Sequence, residues 1–270
     1  MSEQTSDAAK QAPARTKISD NPRGARFRDY IMSKRGQPGE PKWLGYRFLR
    51  FLACILVIPL FRVKATGEEN IPDEPCILSP NHVSYLDSIV VMALTRRQNM
   101  PIRLLAKREL WDNKPLAWGI DNLGALPVSR ESADLSTLRI ASRMIKEGDY
   151  LGIFPEGTRV RTEAMKTDKK RGLGEASGGV AWLAIRNDAT VVPVGLAGPE
   201  QIRPEGVKLF RLPRINVHYG TPIVPSIALP VSEYKKKERI EKLTELIMDG
   251  LVDALNVARA EKAKRDGKST

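Results

Sequence analysis

The chain has 270 residues, with 44 Lys and Arg against 32 Asp and Glu, a formal net charge of +12 and a pI of about 9.8. At 41% hydrophobic and 28% charged residues its bulk is expected to be globular, and its excess of cations selects anionic partners: nucleic acid, an acidic membrane surface or phosphorylated small molecules. The two cysteines, Cys54 and Cys76, sit in apolar runs, in no CxxC pair and beside no histidine, so they are expected as reduced core residues in a cytosolic compartment.

In chain order, residues 1–40 are polar and rich in Ser, Ala, Pro, Gly, Lys and Arg. They hold no apolar core for a secretory signal and are expected to be a disordered tail. Residues 48–61 form an apolar run that carries Arg50 inside it and Pro59 near its end. The run is shorter than the roughly 20 residues a bilayer span requires. Lys42, Trp43, Tyr46 and Arg47 precede it, and Arg62 and Lys64 follow it. Aromatics and cations around a short apolar helix predict a membrane-interfacial segment over 41–61, a buried core helix or a true span being the alternatives.

From residue 62, strand-like and helix-like segments alternate. Strands are expected over 63–67, 76–79, 102–106, 125–128, 150–154, 191–196 and 215–219. Helices are expected over 84–95, 135–147 and 179–186, with one or two short ones within 107–121 and a charged, Gly-containing loop over 155–175. A long helix begins near Ser232, with Leu243, Leu246, Ile247, Leu251 and Leu255 on one side, and ends in a basic tail. This alternation predicts an α/β fold: a single domain over 62–230 with a mainly parallel central sheet flanked by helices, followed by a C-terminal helix and tail over 231–270. Reactive groups in such sheets gather at the carboxyl ends of strands.

Two polar clusters occupy that kind of position. The first is Asn81-His82-Val83-Ser84-Tyr85-Leu86-Asp87, which follows the strand at 76–79. A His near a carboxylate can serve as a general base held in one tautomer. Ser84 and Asp87 also have the spacing of a helix capping box, so a purely structural role for Asp87 stays open. No Gly-x-Ser-x-Gly elbow and no Cys beside His82 offers an enzyme nucleophile, so a base here would act on a substrate alcohol directly. Two distant histidines without a Cys cluster make no zinc set, and no metal or cofactor is expected. The second cluster, Phe154-Pro155-Glu156-Gly157-Thr158-Arg159, follows the strand at 150–154. Gly157 admits a close ligand or an unusual backbone turn, and Arg159 can clamp a phosphate. Lys107 and Arg130 end two further strands, which again suggests an anionic substrate. His218, in the alternating strand Asn216-Val217-His218-Tyr219, is expected to be structural.

In this order and at these spacings, the blocks resemble the lysophosphatidate acyltransferase family of glycerolipid synthesis. Its hallmark Asn-His-x-x-x-x-Asp is matched by Asn81, His82 and Asp87. Its second block ends in an arginine, matched by Arg130. Its Phe-Pro-Glu-Gly-Thr-Arg block is matched without substitution at 154–159, and its proline-bearing apolar block around Pro193. The resemblance covers roughly residues 62–222. It implies an enzyme that moves a fatty acyl group from acyl-CoA or acyl-ACP to the free hydroxyl of lysophosphatidic acid. His82 would be the general base and Asp87 would orient it. Asn81, Ser84, Lys107, Arg130, Glu156, Gly157, Thr158 and Arg159 would bind substrate, with the two arginines on the acceptor phosphate. It further implies an enzyme bound to the cytoplasmic face of an anionic membrane and no nucleic-acid partner. The aromatics are in any case not interleaved with the cations as base stacking requires. One block departs from the family: where a Lys-Gly pair usually opens the helix before the proline block, this chain reads Ala176-Ser177-Gly178-Gly179-Val180, with Lys169, Lys170 and Arg171 earlier in a long loop. That leaves glycerol 3-phosphate, another lysophospholipid or a glycolipid alcohol as alternative acceptors, and a catalytically inactive lipid-binding relative as the non-enzymatic alternative.

Overall fold

Short apolar runs rich in Val, Ile and Leu alternate with longer amphipathic ones, and the chain folds accordingly. The computed structural model describes residues 43–95, 102–128, 135–160, 162–202 and 211–267. The tail expected over 1–40 lies outside these residues. Among the described residues seven strands form one sheet: β1 (Lys64–Thr66), β2 (Ile77–Pro80), β3 (Ile102–Lys107), β4 (Leu126–Val128), β5 (Tyr150–Gly152), β6 (Val191–Ala197) and β7 (Asn216–Tyr219). Their order is β1-β7-β6-β2-β5-β3-β4, and every pairing is parallel except β6 with β7. The mainly parallel sheet read from the sequence is therefore present, with strand ends shifted by one or two residues.

The central strands are buried on both faces, as parallel strands under helices must be. Successive residues of β2 and β6 point to opposite sides. Leu78, Val192, Val194 and Leu196 join Tyr46, Ala53 and Phe61 of the N-terminal helical segment and Val90 and Val91 of α2 (Leu86–Leu94). Ile77 and Val191 join α4 (Leu135–Lys146), α5 (Gly179–Asn187) and the long α7 (Lys236–Arg265) on the other face. Pro193, an unusual residue for a central strand, sits where β7 has already ended, its carbonyl accepting from Gly220 N.

α1 (Trp43–Leu52) continues through a π-helical turn (Ala53–Val57) into a last turn (Ile58–Leu60) that contains Pro59. The missing N–H of Pro59 breaks the regular ladder just where that wider turn precedes it. The buried core helix offered as an alternative for this run is realised on one face, where Tyr46, Ala53 and Phe61 join the core. Tyr46 and Arg50 turn inward, Arg50 over the Tyr46 ring, while Leu44, Phe48, Phe51 and Ile55 form an outward stripe, Leu44 being 73% exposed. Gly45 packs against Asn122 at the end of α3 (Lys114–Asn122), leaving no room for a side chain. Among the described residues no helix is long and apolar enough to cross a membrane. Cys76 is buried, Cys54 partly so, and both thiols are free. Four residues, Pro225–Ala228, form α6.

Candidate active site

Strands β6, β2 and β5 are neighbours and run the same way, so their carboxyl ends meet at one edge. The chain leaves β2 through Asn81, which is 2% exposed. Its side-chain amide spans the end of β6 like an added rung: Nδ2 donates to Leu196 O at 3.2 Å and Oδ1 accepts from Leu196 N at 2.7 Å. Both functions of Asn81 are thus spent on the frame, and the residue fixes the point from which His82 departs.

The turn after β2 folds around Asp87. Its Oδ2 accepts from Val83 N and Ser84 N, each at 2.7 Å, and lies 3.0 Å from His82 Nδ1. A carboxylate only accepts, so the Nδ1 nitrogen carries the proton and Nε2 is left as the basic nitrogen. Nε2 has no hydrogen-bond partner among the described residues. Half of the capping box is therefore realised, since Asp87 reaches back to Ser84 N. The Ser84 hydroxyl instead accepts from Leu86 N at 3.2 Å. Capping and orientation of the imidazole are carried by the same carboxylate oxygen. Asp87 is fully buried and its Oδ1 has no partner among the described residues. Burial raises its pKa above the usual carboxylate range, against the opposing pull of His82 and the two amides.

The 154–159 block supplies the second wall. Glu156 is buried and bidentate: Oε1 accepts from His82 N at 2.9 Å and Oε2 from Gly174 N at 2.7 Å. Burial pushes its pKa up, the two amides oppose this, and the nearby Asp87 charge adds to the rise. Val160 N donates to His82 O at 2.7 Å, so both backbone groups of His82 are pinned to this block. Phe154 stacks on the imidazole, with ring centres 3.9 Å apart and planes 22° apart. Gly157 turns with φ +61°, a conformation that favours glycine, and open space surrounds the position a Cβ would take. Thr158 hydrogen-bonds none of the described residues, which leaves its N–H and hydroxyl available to a ligand. The Arg159 guanidinium lies over the Tyr85 ring, its carbon 3.4 Å from the ring centre.

His82, Ser84, Asp87, Glu156, Gly157, Thr158 and Arg159 thus form one constellation with Asn81 as its brace. Lys107 stands at the end of β3 on the same sheet edge, exposed and paired with Glu109 at 2.8 Å. Arg130 lies outside the described residues. His218 is on β7, its Nδ1 2.9 Å from Thr66 Oγ1, and burial lowers its pKa. Three contacts were not legible in the sequence: the Phe154 stack, the Tyr85–Arg159 stack and the Gly174 amide on Glu156. The aromatic residues inside the two motifs were the available signal. Gly174 carried none, because its importance arises from the fold of the intervening loop. That loop holds a tight turn closed by Asp168 and Leu173, with Arg171 bound to Asp168 at 2.9 Å and Asp249 at 2.7 Å. Lys169 and Lys170 stay exposed at its tip.

Fold and site together define an α/β protein with a histidine–carboxylate pair at the carboxyl ends of its central strands. The sequence profile of the family described as Acyltransferase matches residues 62–197, just over half of the 270-residue chain. The chain belongs to the acyltransferase family, and the resemblance to its lysophosphatidate acyltransferases is borne out. A 1-acyl-sn-glycerol-3-phosphate acyltransferase of Bacillus subtilis is 28% identical over 187 residues, covering 68% of this chain and 84% of that protein. The chloroplastic 1-acyl-sn-glycerol-3-phosphate acyltransferase BAT2 of Brassica napus is 27% identical over 158 residues, covering 57% of this chain and 42% of that one. The crystal structure of the 1-acyl-sn-glycerophosphate acyltransferase PlsC of Thermotoga maritima shares the fold, with a TM-score of 0.58, 21% identity and coverage of 85% and 87% of the two chains.

Proposed function

We propose that this chain transfers a fatty acyl group from an acyl thioester, acyl-CoA or acyl-ACP, to the free hydroxyl of lysophosphatidic acid, giving phosphatidic acid. The observation that carries this reading is His82 held between Asp87 and Glu156, with no enzyme nucleophile bonded to Nε2 among the described residues. Nε2 takes the proton of the acceptor hydroxyl as its oxygen attacks the thioester carbonyl, and Asp87 stabilises the imidazolium that forms. The thioester's C–S bond then breaks. The thiolate leaves and accepts the proton from the imidazolium or from water. Thr158 donates to the oxyanion, and Arg159 holds the acceptor phosphate.

The enzyme acts at a bilayer surface in this reading. The outward stripe of Leu44, Phe48, Phe51 and Ile55 rests among the headgroups of a cytoplasmic leaflet, and the excess of cations favours anionic lipids. The departure at 176–180 makes the acceptor the part of this reading to test first. Purified full-length protein given one long-chain acyl-CoA and a panel of lysophosphatidate, glycerol 3-phosphate, a lysophospholipid with a choline headgroup and monoacylglycerol is expected to acylate lysophosphatidate with the highest kcat/KM. Preference for any other acceptor overturns the assignment.

A further inference from the structure

We propose that Tyr85 is a positioning residue for Arg159: its ring face holds the guanidinium at the rim of the His82 site, with the N–H edge turned to the acceptor phosphate. This deepens the reading given under Proposed function and rests on it. Tyr85 is an aromatic residue in the centre of the first motif, yet it is 61% exposed, so core packing does not account for it. It sits at the N-cap position of α2 without making a capping hydrogen bond. Its backbone belongs to the turn that Asp87 closes through Val83 N and Ser84 N, and that Leu86 N reinforces through the Ser84 hydroxyl. The turn that orients the base therefore also fixes the ring.

Arg159 comes from the other motif and precedes Val160, whose N–H is bonded to His82 O. Both partners of the stack are consequently anchored within a residue or two of the histidine and Asp87. At 3.4 Å the guanidinium carbon is in contact with the centre of the ring. Stacking covers a face of the guanidinium and leaves its donors, which lie in its plane, at the edge. A phosphate is bound through that edge, in the bidentate manner. The ring also limits the rotamers of a long, partly exposed side chain, so less of its freedom is lost when the phosphate arrives.

The test is steady-state kinetics of the purified full-length protein in mixed micelles, with lysophosphatidate and acyl-CoA varied separately. Tyr85→Ala is expected to raise KM for lysophosphatidate by about threefold to tenfold, the size of one partly exposed cation–π contact. The acyl-CoA KM and the kcat at saturating acceptor should stay within about twofold, and Tyr85→Phe and Tyr85→Trp should restore the acceptor KM. In an Arg159→Ala background, Tyr85→Ala should add nothing, since the ring then has no cation to hold. Melting temperature reports on folding independently, and an exposed ring should leave it unchanged. An unaltered acceptor KM in Tyr85→Ala, or the same increment with and without Arg159, overturns the inference while the proposed reaction stands. A wild-type protein that does not acylate lysophosphatidate overturns both.

Discussion

At the scale of single residues, the site is governed by carboxylates that do two jobs each. Asp87 closes the turn before α2 and orients His82; Glu156 holds the backbone of His82 and that of Gly174. Glu156→Gln keeps the shape but turns an amide N–H₂ toward one of two backbone donors. This leaves a buried donor unpaired at a cost of about 1–3 kcal/mol. The substitution is expected to lower kcat and to lower the urea midpoint. The pH dependence has a definite sign. Burial raises Asp87 and Glu156 above the value they have in the unfolded chain, about 4, so over the window above that value the folded state holds protons the unfolded chain has released. Their contribution to stability is present below the unfolded pKa and falls as pH rises through the folded ones. Urea midpoints across that window should show a shallower decline for Glu156→Gln than for the wild type, and an identical slope would contradict the assignment. The His–x–x–x–x–Asp spacing made this pair legible in advance, because five residues span one tight turn. The Glu156 bridge was not legible as a bridge, since its two partners come from distant parts of the chain.

At the scale of elements, the sheet and its helices were readable from periodicity because each element's burial is regular. The strand alternation of β2 and β6 between the two faces is a direct consequence of the pleat. Strand order was not readable: nothing local in β7 announces that it joins β6 antiparallel while pairing β1 in parallel. Nor was the close seating of α7 on β6. Gly195 permits it, since a Cβ there would lie 2.3 Å from the backbone carbonyl carbon of Ala254 and from Leu255 N. Backbone cannot move aside as a flexible side chain can. Gly195→Ala is therefore expected to push α7 off the sheet and destabilise the protein by about 1–3 kcal/mol or more, measured by thermal or urea unfolding. Because β6 also carries Leu196, which holds Asn81, acyl transfer should fall with it.

At the scale of the whole molecule, the sheet edge that carries His82 and the outward apolar stripe of α1 belong to one α/β body, joined by Tyr46 and Phe61 in the shared core. The apolar run at 48–61 could be read from sequence as anchor or as core, and no local signal decides between them. One face packs in the core and the other is exposed, and Arg50, the one charge inside the run, is folded inward. If the stripe is the lipid-facing surface, replacing Phe48 and Phe51 by Glu should cut co-sedimentation with anionic vesicles at least several-fold and leave the melting temperature within a few degrees. Unchanged sedimentation would assign the membrane contact to another surface. The proposed chemistry turns on His82. Acyl transfer from acyl-CoA to lysophosphatidate, measured with purified wild type and His82→Ala, tests it most directly. Loss of about a hundredfold or more in kcat, the scale of a removed general base, with the fold and vesicle binding intact, is the predicted result. Full transfer by His82→Ala would contradict it.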